Sequence, residues 1–193
     1  AEVSFENENN LEVIDNNAFY SCTSLIELKI PNSVHYIGKA CFKNCISLRN
    51  IEIPNILKSI SDNTFDGCRS LQGILIPSSV EYIGEYCFIE CYNLKSVYFE
   101  MNSNLSVINK LAFAQCATLS EFFAPESLWK IGQMAFCNCF SLSYVVINSV
   151  TDLGDCAFYN CSSLVKILCD KVKIFGKGAF FNCRWFAHMF ISS

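Results

Sequence analysis

Apolar residues recur along this chain with a period of 22 to 25 residues. Each unit contains a phenylalanine, then a cysteine three residues later and, in seven of eight units, a leucine after three more. The phenylalanines are Phe19, Phe42, Phe65, Phe88, Phe113, Phe136, Phe158 and Phe180. The cysteines are Cys22, Cys45, Cys68, Cys91, Cys116, Cys139, Cys161 and Cys183. So regular a repeat predicts a solenoid, in which every unit packs on its neighbours and these two columns form the core.

Apolar and polar positions alternate after each leucine, as in the run from Leu28 to Ile30. Alternation with a period of two predicts a strand that buries one face. The four prolines directly follow such runs, where a residue without an N–H group ends a strand. The prolines are Pro31, Pro54, Pro77 and Pro125. We therefore expect one strand per unit, and nine strands bracketing eight turns in all.

A second apolar pair follows each strand, as in Val34 and Ile37, and a glycine often comes next. Five glycines occupy this place, and we expect turns of positive φ there. They are Gly38, Gly84, Gly132, Gly154 and Gly176. The phenylalanine segment is too short for a long helix, so a short helical or 3-10 turn is expected. The predicted fold is a leucine-rich-repeat solenoid of about eight repeats, with a curved parallel β-sheet of short strands, forming one domain over residues 1–193.

The repeat pattern extends to both ends of the chain. Val3 and Phe5 align with Val97 and Phe99, so the chain begins on the strand of a preceding unit. Neither end carries an obvious polar cap, which a solenoid terminus normally needs. The sequence also lacks an initiator Met and a signal pattern. We expect the chain to be a fragment of a longer protein or to abut further segments.

Composition limits the classes of partner. Hydrophobic residues make up 52% of the 193 residues and charged residues 17%, which allows a packed core. The formal net charge of −4 and the absence of a clustered basic face argue against nucleic acid. No run approaches the ~18 apolar residues that span a membrane.

The unit I-P-x-S-V-x-x-I-G-x-x-x-F-x-x-C-x-x-L resembles the BspA-type leucine-rich repeat, also called the Treponema pallidum type. The segments SLRNIEIPNILKSISDNTFDGC and SSVEYIGEYCFIEC carry the pattern most clearly. The resemblance covers essentially the whole chain, apart from a 25-residue unit at Glu100–Asn104 and an irregular last unit. It implies a curved solenoid that acts in adhesion or protein binding, because such repeats occur in surface proteins of bacteria and protists. It implies neither an enzyme nor a particular partner.

Most of the thirteen cysteines have structural positions in the repeat. Beyond the column of eight, Cys41 and Cys87 take a slot that alanine fills elsewhere, and Cys169 is an inward strand residue. Cys137 and Cys156 have no assigned slot. One Cys137-x-Cys139 pair is a weak metal signal, and an odd count argues against a disulfide framework. We expect free thiols and no metal site. Reduced thiols favour an intracellular setting, whereas the resemblance favours a cell surface, so localisation stays open.

The chain offers little for catalysis. Its two histidines, His35 and His188, have no nucleophile placed beside them, and no phosphate-binding or metalloprotease motif occurs. We expect no catalytic residues and no cofactor. Two glycosylation sequons begin at Asn104 and Asn160. Each overlaps a core position of the repeat, so chance occurrence is the favoured interpretation.

The residues between the inward strand positions must face outward, and stacking the repeats places them in columns. The first two rungs, Lys29 and Glu52, are charged, whereas the next five are apolar. We predict a partner surface there, formed by Leu75, Tyr98, Phe123, Tyr144, Val146 and Leu168. Its partner would be another protein. Cover by a flanking segment, self-association through this face or the uncapped ends, and no role at all stay open.

Three functional classes follow in order. The first is a non-enzymatic protein-binding or adhesion module that uses the outward sheet face. The second is an intracellular scaffold or structural component of a larger assembly, which thiols and an acidic pI permit. An enzyme is a distant third.

Overall fold

The computed structural model describes Phe5 and residues 10–184, and it forms a solenoid of parallel β-strands. Two series of short strands alternate along the chain. The long-strand wall comprises β2 (Glu27–Lys29), β4 (Asn50–Glu52), β6 (Gly73–Ile76), β8 (Ser96–Phe99), β10 (Glu121–Phe123), β12 (Tyr144–Val146) and β14 (Lys166–Leu168). The short-strand wall comprises β1 (Val13–Ile14), β3 (Tyr36–Ile37), β5 (Ser59–Ile60), β7 (Tyr82–Ile83), β9 (Val107–Ile108), β11 (Lys130–Ile131), β13 (Asp152–Leu153) and β15 (Ile174–Phe175).

Every strand pair is parallel and joins equivalent positions of adjacent coils. In the long-strand wall Leu28 pairs with Ile51, and Phe122 pairs with Val145, so inward residues stay inward along the stack. This confirms the predicted parallel solenoid and the predicted strands of the described coils. The first predicted strand, apart from Phe5, the last predicted strand and His188 lie outside the described residues.

The short-strand wall was not predicted as a sheet. Its strands were expected only as an apolar pair, yet six of them, β5, β7, β9, β11, β13 and β15, form one hydrogen-bonded sheet. Each contributes two residues, of which the second is buried in all but β15, for example Ile83 and Ile131. Each coil therefore contributes one strand to each of these two walls. Its phenylalanine segment forms a third wall, which we call the turn wall.

The turn wall contains no helix among the described residues, so the expected helical or 3-10 turn is wrong. Residues two before and two after each phenylalanine adopt left-handed φ values between 52° and 71°. The chain thereby directs alternate N–H groups to the next coil: those of Asn17, Phe19 and Ser21 donate over 3.0, 2.9 and 2.8 Å. A helix would use these N–H groups within its own coil, so stacking replaces helical bonding here.

The core is a continuous column of phenylalanine rings. Neighbouring rings from Phe19 to Phe180 stack with centroids 5.0 to 5.5 Å apart and planes within 14°. The six rings from Phe42 to Phe158 are buried, while Phe19 and Phe180 at the ends of the column are half-buried. Inward strand residues of both walls join this column in a single hydrophobic cluster.

The five glycines after the second apolar pair do not adopt positive φ, so that expectation is wrong. They serve close approach instead. A Cβ on Gly84 would lie 2.5 Å from the backbone nitrogen of Asp62, one coil earlier. Atoms cannot approach so closely, so glycine is required because adjacent coils touch there through their backbones.

Candidate binding surface

The outward face of the long-strand wall carries a column of apolar side chains, which we call the apolar stripe. Its members are Leu75, Tyr98, Phe123, Val146 and Leu168. Leu75, Tyr98 and Phe123 are 51%, 62% and 48% exposed. Val146 and Leu168 are half-buried, so the stripe is most exposed from Leu75 to Phe123 and less exposed towards β14.

Strand pairing brings the stripe residues together as the register requires. Leu75 pairs with Tyr98, and Val146 pairs with both Phe123 and Leu168. Tyr144, from the neighbouring outward column, joins the stripe because its ring meets that of Phe123 edge-on, with centroids 5.4 Å apart. All six residues predicted as a partner surface thus lie along one side of the molecule.

A lysine already rests on one of these rings. The Nζ atom of Lys166, one coil after Tyr144, lies 4.6 Å from the centroid of the Tyr144 ring. An ammonium group at that distance from an aromatic face makes a favourable cation–π contact. The aromatic part of this wall can therefore accept a positive charge.

The stripe is interrupted between β8 and β10, which sequence reasoning missed. The long-strand wall divides into β2–β4, β6–β8 and β10–β12–β14, with no ladder of hydrogen bonds from β8 to β10. This break coincides with the 25-residue unit, whose extra residues form an exposed loop at Met101 and Asn102. The loop is anchored to the preceding coil because Glu100 Oε2 accepts a hydrogen bond from the Ser78 backbone N–H over 2.9 Å.

The break opens a groove of about 770 Å³ in the middle of the stripe, which we call the central groove. Tyr98 and Phe123 line it together with three glutamates, Glu100, Glu121 and Glu126, and one lysine, Lys95. In the part of the chain that the structure describes, no lysine or arginine nitrogen lies within 4.0 Å of these three carboxylates. The groove therefore combines aromatic walls with a surplus of negative charge.

The cysteine column acts as a set of hydrogen-bond donors. The Sγ atoms of seven column cysteines donate to a phenylalanine carbonyl oxygen of the preceding coil over 3.0 to 3.3 Å. Those cysteines are Cys45, Cys68, Cys91, Cys116, Cys139, Cys161 and Cys183. Cys22 is exposed, which corrects its assignment to the core: the column starts there, so its thiol has a neighbouring coil on one side only.

All thirteen cysteines are free thiols, and burial is the largest cause of the raised pKa of core thiols such as Cys68 and Cys87. Burial raises the pKa of Cys41 from 9.0 to about 12 and that of Cys45 to about 11. Burial also holds the pKa of Cys91 and Cys116 well above its usual range. Protonated thiols are poor nucleophiles and poor metal ligands. Within the described residues no group of three or more His, Cys, Asp or Glu could hold a metal ion.

The histidine and the two sequon asparagines singled out from the sequence also have defined neighbours. His35 is exposed, with Nε2 3.8 Å from a carboxylate oxygen of Glu12. The amide nitrogen of Asn160 donates to Asn138 Oδ1 over 2.8 Å, within a ladder of asparagines on the turn wall. The amide nitrogen of Asn104 donates to the Ser78 carbonyl over 2.9 Å. Both sequon amides are therefore engaged in bonds between coils.

Within the described residues, no helix is long and apolar enough to cross a membrane. Among proteins with curated descriptions, none matches this sequence.

Solved structures do show similarity. A leucine-rich repeat protein of Treponema pallidum is 32% identical over 90% of this chain and 70% of its own, with a TM-score of 0.64. A leucine-rich cell surface protein of Faecalibacterium prausnitzii is 26% identical over 90% of this chain and 59% of its own, with a TM-score of 0.65. A leucine-rich repeat protein of Eubacterium ventriosum, 21% identical, shares the fold with a TM-score of 0.83 over 97% of this chain and half of its own.

The sequence also matches the family model of the BspA-type leucine-rich repeat region, in six copies, over residues 3–103 and 98–193. Proteins with leucine-rich repeats generally bind other proteins, often at cell surfaces. The resemblance noted in the sequence is thus confirmed, and this chain belongs to the BspA-type leucine-rich repeat family.

Proposed function

We propose that this protein is a non-enzymatic binding module, a single solenoid that holds another protein against the apolar stripe and Tyr144. The observation that carries the proposal is the contiguous apolar surface at Leu75, Tyr98 and Phe123, each about half exposed or more. Exposed apolar patches of this kind mark interaction sites more often than chance, and aromatic side chains dominate the energy of such sites.

The rest of the outward surface supports this choice of face. Several charges elsewhere are paired between coils, as in Lys39 with Asp62 at 2.8 Å and Lys58 with Glu81 at 3.1 Å. Because these charges are already paired within the chain, they leave little for a partner to complement. The apolar stripe, in contrast, gains free energy only when something excludes water from it.

A second candidate, an intracellular scaffold within a larger assembly, is favoured by one observation. All thirteen cysteines are thiols, and twelve of them are buried or half-buried in the stack without any disulfide. Reduced cysteines are typical of reducing compartments. The cell-surface adhesin is supported by the similarity to the Faecalibacterium prausnitzii surface protein.

The test is a site-specific cross-link. A photoreactive amino acid at Leu75 in the full-length protein, expressed in its native cells, should yield one dominant protein adduct. The double change Tyr98→Asp and Phe123→Asp should abolish that adduct, because two charges would be buried against the partner. The matched control is Tyr82→Asp with Trp129→Asp, two exposed aromatic residues on or directly next to the short-strand wall, which should leave the adduct unchanged.

Two outcomes would contradict the proposal. An adduct that both double variants reduce equally would place the partner elsewhere. A large fall in melting temperature for Tyr98→Asp with Phe123→Asp alone would show that the stripe contributes to the fold itself.

A further inference from the structure

We propose that the central groove binds a lysine or arginine side chain of the partner protein. This inference rests on the proposed function and deepens it, since it names the chemistry that the partner must present. It is carried by the shape of the groove, by its charge and by the behaviour of a lysine on the same wall.

The shape comes from the break in the long-strand wall. β8 and β10 share no ladder of hydrogen bonds, and the groove lies at this point, where Tyr98 and Phe123 would otherwise be paired neighbours. The volume of about 770 Å³ lies within the range of sites that enclose small ligands or side chains. The two rings offer apolar walls against which the methylene stem of a long side chain can pack.

The charge of the groove selects the sign of its occupant. Glu100, Glu121 and Glu126 line the groove with a single lysine, Lys95, and the three carboxylates are not paired with basic residues in the described chain. Elsewhere, Glu52 on the long-strand wall is paired with Lys29 at 3.6 Å, and Asp152 on the short-strand wall is paired with Lys130 at 3.2 Å. The groove is therefore a place where negative charge is left for a ligand to complement.

The chain itself shows how a cation sits on this surface. Lys166 places its ammonium 4.6 Å from the Tyr144 ring, and Tyr144 touches Phe123, which lines the groove. Lysine and arginine combine a positive head with an apolar stem, which matches carboxylates and aromatic rings in one cavity. An acidic or purely apolar segment would satisfy only the rings.

The experiment measures binding of a defined peptide to the full chain by amide chemical shifts in NMR. The probe is acetyl-Gly-Ser-Arg-Ser-Gly-amide, with matched peptides carrying norleucine or glutamate in place of arginine. We expect saturable shifts around Tyr98 and Phe123 with the arginine peptide, and at least tenfold weaker binding of the other two. High salt should weaken the arginine peptide further, because exposed charges are screened.

Variants assign the effect to the groove. Glu121→Gln with Glu126→Gln should weaken the arginine peptide about three- to tenfold, from two exposed ion pairs. Glu27→Gln with Glu52→Gln is the matched control on the same wall outside the groove, and it should change binding less than twofold. Glu100 is left intact because it anchors the loop.

The inference is overturned if the norleucine peptide binds as well as the arginine peptide, or if both pairs of glutamine substitutions act alike. It is also overturned if no peptide shifts the groove resonances at millimolar concentration. Those failures leave the cross-link at Leu75 untouched, so they are distinct from failure of the proposed function. Conversely, arginine-dependent shifts without any adduct sensitive to Tyr98 and Phe123 would support the groove and reject the stripe.

Discussion

The Sγ atom of Cys68 lies 3.1 Å from the backbone carbonyl oxygen of Phe42, one coil earlier, and donates a hydrogen bond to it. The same carbonyl also accepts the backbone N–H of Cys45 over 3.0 Å. A cysteine here is small enough for the crowded core and still supplies a donor that ties two coils together. This explains why the column prefers cysteine to alanine or valine, which lack the donor.

Removing one of these thiols should therefore weaken the stack. Cys68→Ala should lower the free energy of unfolding by about 1–3 kcal/mol, through the lost hydrogen bond and a small cavity. Cys22→Ala is the matched control, since this thiol belongs to the same column but is exposed, and its cost should stay within about 0.5 kcal/mol. Urea denaturation under reducing conditions measures the loss of unfolding free energy in both variants. Equal losses would mean that the buried thiol hydrogen bond does not contribute to stability.

The buried thiols also make stability sensitive to alkaline pH. The pKa of Cys41 is about 12 and that of Cys45 about 11 in the fold, against 9.0 for an ordinary thiol. Above pH 9 the unfolded chain loses these protons while the folded chain keeps them, so unfolding becomes easier. Each such thiol should contribute its full stability below pH 9 and lose about 1.4 kcal/mol per pH unit above it, up to its folded pKa.

Denaturation curves at pH 7, 8.5, 10 and 11 with a reducing agent check this dependence. The variant Cys41→Ala with Cys45→Ala should show a shallower decline above pH 9, which separates the thiols from tyrosine and lysine titration. A decline as steep in that variant as in the unaltered protein would contradict the assignment.

The phenylalanine column should dominate the stability of the coil. Phe65 is buried between Phe42 and Phe88, with ring centroids 5.5 and 5.1 Å away, so Phe65→Ala should destabilise by about 3–5 kcal/mol. Phe140→Ala, at a ring that is nearly half exposed, should cost far less, about 1 kcal/mol or below. Thermal melting followed by circular dichroism compares the two variants.

Close approach of the coils predicts a position-dependent cost of adding one methyl group. In Gly84→Ala the new Cβ would meet the Asp62 backbone nitrogen at 2.5 Å, and we expect a loss of about 2 kcal/mol or more. Gly73→Ala is the matched control, because its nearest neighbour is the Ser96 hydroxyl oxygen at 3.2 Å, which can move. Its change should stay within about 1 kcal/mol, as measured by denaturant midpoint.

The periodic features of the fold were accessible from sequence because they repeat. Alternation from Leu28 to Ile30 recurs in every unit, so the inward and outward columns of the long-strand wall follow directly from the register. The short-strand wall escaped notice because strands of two residues, such as β7, are too short to show a period of two. Their pairing depends on stacking, which no single unit displays.

Backbone geometry and the groove were harder to predict. Left-handed residues on the turn wall include Leu111 and Met134, whose side chains give no hint of positive φ. The glycines, in contrast, suggested positive φ where close packing was the real reason. The longer unit was visible as a departure at Glu100–Asn104. The missing ladder of hydrogen bonds between β8 and β10 was not, because it depends on how adjacent coils pack against each other.

The two additional residues of the 25-residue unit do not disturb the phenylalanine column beneath them. Phe88 and Phe113 are 25 residues apart in sequence, yet their rings stack at 5.0 Å and 4°, as closely as any neighbouring pair of the phenylalanine column. Length variation is thus absorbed at the surface of one wall while the centre keeps its spacing. A solenoid of this kind can gain or lose a surface groove when a few residues are inserted into or deleted from one coil. The core packing that keeps the protein folded need not change.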